Sequence, residues 1–107
     1  MEWVNEIKQL LADGLYLDNL RRIMECCERG LKEGQHVLPA YVIRSVVGDL
    51  QREWDGRAVL VDEARRTETE LRPLLEAVAT GLLRGDSLQA MSAPLDTLVI
   101  VWVSLYR

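Results

Sequence analysis

Glu25 and Glu28 stand three residues apart in the stretch "IMECCERG", a spacing that makes two side chains neighbours on the surface of a helix. Paired carboxylates of this kind can share a hard divalent cation such as magnesium, whose shell is built from oxygen ligands. Two side chains supply only part of that shell, so further carboxylates would have to come from another helix or another chain. Cys26 and Cys27 lie between the two acids. Thiolates suit zinc, but adjacent residues of a helix point about 100° apart, whereas a zinc site needs ligands that converge. A thiol nucleophile would in turn need His36, the one histidine of the chain, or another base within hydrogen-bond reach. These cysteines are therefore read as structural, Cys27 within the apolar stripe of its helix and Cys26 on its flank.

The E-x-x-E pair resembles the paired carboxylates with which all-α metal-dependent nucleotide pyrophosphohydrolases hold magnesium. That resemblance implies a second acidic pair, E-x-x-D, facing the first from the next helix. Here the next helix carries Asp49 and Glu53, which do not have that spacing. Glu25 and Glu28 also lie roughly opposite the stripe of Leu20, Cys27 and Leu31, with Arg21, Arg29 and Lys32 close enough to supply countercharge. They read as a solvated face. No metal or cofactor is expected, and a divalent-metal enzyme acting on a phosphorylated small molecule through Glu25 and Glu28 is the alternative reading.

Nucleic acid is an unpromising partner for this chain. Lys and Arg total 13 against 17 Asp and Glu, a net charge of −4, with no basic tail or half to meet a phosphate backbone. A helix-turn-helix built from the second and third helices would have to present Arg44, Gln51 and Arg52 beside Asp49 and Glu53, a mixed surface that suits DNA poorly. The densest charge run, Asp62 to Arg72, alternates in sign and reads as an exposed helix face.

The elements that position these residues follow from apolar spacing. Trp3 or Val4, Ile7, Leu10 and Leu11 recur at helical steps and stop at Asp13-Gly14, which predicts a first helix over residues 2 to 13. Asp18 is the expected cap of a second helix, with Leu20, Ile23, Met24, Cys27 and Leu31 on one side and Gly34 at its end. Pro39 suits the first turn of a third, which carries Val42, Ile43, Val46, Val47, Leu50 and Trp54 up to Asp55-Gly56. The β-branched run "YVIRSVV" makes a strand the alternative there. A fourth pattern, Leu60, Ala64, Thr67, Leu71, Leu74 and Val78, forms a heptad-like seam, and Pro73 predicts a kink or break near Leu71-Arg72. Gly85 closes it, and one helical turn is expected at Leu88 to Met91.

The chain finishes on "LDTLVIVWVSLYR". A helix from Pro94 would carry Leu95, Leu98, Val99, Trp102 and Tyr106 on one stripe and leave Ile100, Val101 and Val103 on other faces, apolar nearly all round. A strand is the alternative, with the segment around Ala58 to Val61 as its only obvious partner. The segment is too short to span a bilayer, which takes about 20 apolar residues. Either it forms the centre of the chain's own core or it makes an interface.

The expectation is an all-α bundle of four to five helices in a single domain over residues 1 to 107, its second, third and fourth helices packed together. Its expected core is Ile7, Leu10, Leu20, Ile23, Cys27, Leu31, Val46, Leu50, Leu71, Leu74, Val78, Leu98 and Trp102. Glu2 and Glu6 stand where a secretory leader would carry positive charge, and two adjacent cysteines are poorly placed for a disulfide, so a reducing cytoplasm is expected. The expected function is that of an interaction or regulatory protein acting as a homodimer, with Leu71, Leu74, Leu98, Val99, Trp102 and Tyr106 at the interface and no nucleic-acid or membrane partner.

Overall fold

Helical spacing in the sequence becomes helix throughout the computed structural model, which describes residues 1–106 and has no strand among them. Five helices follow one another: α1 (Glu2–Asp13), α2 (Leu17–Glu33), α3 (Val37–Trp54), α4 (residues 61–84) and α5 (Ser92–Tyr106). The strand alternatives for residues 41–47 and for the chain's last stretch are thereby set aside. Residues 58–60 belong to the exposed connection into α4, and Leu60 is 71% exposed.

Each helix has two principal neighbours, and the pairs close a ring in the order α1, α2, α3, α5, α4 and back to α1. This corrects the expected grouping of α2, α3 and α4. Two of α1's faces are occupied, one by α2 and one by the second half of α4, while α5 fits between α3 and α4. An apolar-all-round α5 can do this because it has a stripe for each neighbour. The buried side chains of all five helices form one connected core.

Local chemistry explains the corners. Gly14, at φ 127°, ends α1 in a conformation that favours glycine. From the first turn of α2 the buried Asn19 amide donates to the Gly14 carbonyl at 3.0 Å, and to the Leu10 carbonyl at 3.2 Å, which also accepts from the Gly14 N–H, so one side chain fastens α2 to the end of α1. Asp18 does not cap α2. The helix starts two residues earlier, with Tyr16 at the cap position, and Asp18 sits exposed in its first turn, 3.8 Å from Arg21.

Helix α4 is continuous through Pro73, but not regular. Val61–Arg66 is α-helical, Thr67–Leu71 forms a π-helical turn, and Arg72–Arg84 resumes the α-helix. The Arg72 N–H donates to the Thr67 carbonyl, five residues back, just before the proline that has no N–H to give. The wide turn absorbs an extra residue, so the inward face reads Thr67, Leu71, Leu75, Val78 and Leu82. Leu75, not Leu74, therefore occupies the core, and Leu74 stays half-buried at its margin along with Leu31 and Trp102. The other ten expected core residues are buried. Between α4 and α5, residues 88–91 form a turn closed by the Met91 N–H on the Ser87 carbonyl at 3.1 Å.

Candidate interaction surface

The composition of α5 sets its surface: within "SAPLDTLVIVWVSLY" Asp96 is the one charged residue. A helix with two inward stripes still has an outward one, and here Ile100 and Val103 stand on it among the exposed Ala93, Asp96, Thr97 and Ser104. Leu95 and Leu98 are buried, Val99, Val101, Trp102, Leu105 and Tyr106 are half-buried, and Ile100 and Val103 are 67% and 44% exposed. Ile100 and Val103 are three apart, so they form one outward ridge.

Beside that ridge runs a groove between α5 and the start of α3. Leu38 and Val42 from α3, Leu88 from the turn, and Leu95 and Val99 from α5 line a cavity of about 270 Å³, with Ser92 and Asp96 at its rim. Leu38 and Leu88 are 49% and 50% exposed. Further along α3, Tyr41 is 57% exposed and shares a second hollow with Trp102, Met24 and Arg44. The groove thus gathers apolar side chains from two helices and a turn, whereas the second hollow is mixed, with Arg44, Asp49 and Arg52 among its walls.

The six residues expected at an interface are divided by the fold. Leu71 and Leu98 lie wholly inside the core, so neither offers surface to a partner while the helices stay packed, and that expectation is corrected. Leu74 is half-buried on α4. Val99 lines the groove, and Trp102 leans towards α3. Tyr106 fastens the end of α5 to the π-turn: Thr67 Oγ1 donates to the Glu63 carbonyl at 3.0 Å, which leaves the Tyr106 hydroxyl to donate to Thr67 at 3.1 Å. Burial pushes the Tyr106 phenol pKa up. Sequence reasoning left out Ile100, Val103, Leu38, Tyr41 and Leu88. For the first two a signal existed, because they fall off the predicted stripe of α5.

A polar cleft of about 470 Å³ opens at the other end of α5, lined by Glu53, Asp62, Glu63, Arg66, Thr67 and Tyr106 among others. Its Glu63 carboxylate is already engaged. Arg57 grips both oxygens of Glu63, at 2.6 and 3.2 Å, and the Trp54 indole N–H reaches it at 3.3 Å. The Arg57 hydrogen bonds hold the Glu63 carboxyl below the usual range, so it is an anchor of the α3–α4 corner and a poor proton donor. Among the described residues no three His, Cys, Asp or Glu side chains come together as metal ligands. Glu25 and Glu28 remain exposed on α2, with Glu28 3.4 Å from Arg44.

The cysteines are buried free thiols. Burial pushes Cys27 up to about 12 and Cys26 upward as well, which keeps both as unreactive thiols at neutral pH. Cys26 lies on the α1–α2 contact, donating to Glu6 at 3.4 Å and accepting from Arg29 at 3.2 Å. No helix among the described residues is long and apolar enough to cross a membrane. Compared with known proteins, the chain matches no family model, no curated protein and no solved structure.

Proposed function

We propose that this chain is a small interaction or regulatory protein that works through apolar helical contact and associates with itself as a homodimer. The observation that carries the reading is the outward ridge of α5, where Ile100 is 67% exposed on a helix with a single charge. Isolated exposed apolar residues are ordinary, but a contiguous group of them marks a binding surface or an aggregation hazard. Joined to the groove beside it, the ridge is such a group. Free, buried cysteines fit a reducing compartment, and the cytoplasm is the proposed setting.

Light scattering behind a sizing column, from low micromolar concentration upward, tests this directly. A mass that approaches twice the 12.2 kDa of one chain supports the proposal. A mass that stays at one chain at every concentration sinks it.

A further inference from the structure

We infer that residues 60–66, the entry to α4, form a strap that opens as one unit while the ring of helices stays closed, held down by a latch at Glu63 and bounded by the π-turn. The inference does not depend on self-association. Three features of the segment carry it.

The first is packing. Helix α4 makes its main contacts with α1 and α5 from Thr67 onward. No residue of Val61–Arg66 is buried, while the other helices all contribute to the core. Leu60 and Val61 are 71% and 73% exposed. So short a helix has little stability of its own, and a segment with few buried contacts opens at a lower free energy than the core around it. The second is the latch. Arg57 donates to the Glu53 carbonyl at the end of α3 and grips both oxygens of Glu63, which also accepts from the Trp54 indole N–H. One carboxylate thus gathers the ties between the strap and α3. The third is the boundary. Val59 leans on the core just before the strap, and the buried Thr67 and Leu71 follow it in the π-turn, where Thr67 meets Tyr106 of α5 at 3.1 Å. The backbone hydrogen-bond register changes in that turn, so the helix before it can melt without unravelling the helix after it.

Asp62, Glu63 and Arg66 of the strap form one wall of the 470 Å³ cleft, with Glu53 of α3 and Ser104 of α5 among its other sides. Opening removes that wall and frees the Arg57 guanidinium and the Trp54 N–H. The strap therefore governs access to the seam between α3 and α5, an order–disorder device built into one end of a single helix.

NMR-detected hydrogen exchange on the whole chain, in water and in low urea, tests this. The hydrogen bonds at stake begin with the Ala64 N–H on the Leu60 carbonyl at 3.0 Å. The amides of residues 64–67 are expected to share one protection factor, about a hundredfold or more below that of residues 75–82, and to respond little to urea, because a local opening exposes little surface. Ile23→Val, a mild change in the core, is expected to lower the protection of residues 75–82 about threefold or more and to leave residues 64–67 unchanged. Glu63→Gln keeps the shape of the latch but removes its charge, and is expected to lower the protection of residues 64–67 about fivefold to tenfold. Arg57→Gln, from the other side of the latch, should do the same. Protection of residues 64–67 that equals that of residues 75–82, or falls with it in Ile23→Val, overturns the strap. Protection that climbs residue by residue from 64 to 71 is ordinary fraying and overturns it too, as does protection that neither latch variant lowers.

Discussion

Trp3 shows how tightly single residues are matched. Its indole is buried against Gly30 of α2, and a Cβ on that glycine would stand 2.7 Å from the ring, while the indole N–H donates to Glu33 at 3.2 Å. Ala is the better helix former by about 1 kcal/mol, so propensity alone favours Gly30→Ala. Overpacking against a rigid ring wins, and Gly30→Ala is expected to lower stability by about 1 to 3 kcal/mol in urea titration. Gly48 is the contrast. A Cβ there meets the flexible ends of Met24 at 3.4 Å and Arg52 at 3.7 Å, and Gly48→Ala is expected to be neutral or stabilising by about 0.5 kcal/mol. Carboxylates make a second prediction at this scale. Glu6, Asp13 and Glu63 all have pKa values lowered in the folded chain, chiefly by hydrogen bonds from Arg29, Tyr16 and Arg57 respectively. A lowered folded pKa gives stability that is fully present above the unfolded value and is lost as the pH falls through the folded one. The thermal midpoint is therefore expected to hold near neutrality and to drop below about pH 4.5, and Glu63→Gln should flatten part of that drop.

At the scale of elements, the π-turn of α4 is where sequence and structure part. Glu68 sits in that turn, and its carboxylate accepts from the Leu15 N–H at 2.8 Å while Arg72 pairs with its other oxygen at 2.8 Å. One side chain thus ties the α1–α2 corner to α4. Glu68→Ala leaves the Leu15 amide without that partner and is expected to cost about 1 to 3 kcal/mol. The helices themselves were legible from spacing: α1 spans the residues its apolar steps and Gly14 predict, and α5 is a helix with Leu95 and Leu98 inward as its stripe requires. Pro73 announced a disturbance but not its form. A seven-residue seam points to Leu74, whereas a turn with one extra residue delivers Leu75. Asn19 and Glu68 carried no signal, because the backbone groups they satisfy belong to corners made only when separate helices meet.

For the whole molecule, the ring of five helices settles what spacing could not, namely which apolar residues face inward when there are more of them than the core needs. Leu71 and Leu98 were indistinguishable by type from Ile100 and Val103, yet the first pair is sealed and the second is wet. The candidate surface was legible as an apolar excess at the end of the chain. Its position was not, since Leu38 and Val42 join it only through the packing of α3 beside α5, and Leu88 through the turn that leads into α5. Sedimentation equilibrium of the wild-type chain beside Ile100→Asp, at matched concentrations, is the measurement that decides most. The expected result is a wild-type mass rising towards a dimer while the variant stays at 12.2 kDa. Equal masses for the two at every concentration would contradict a binding role for the outer face of α5.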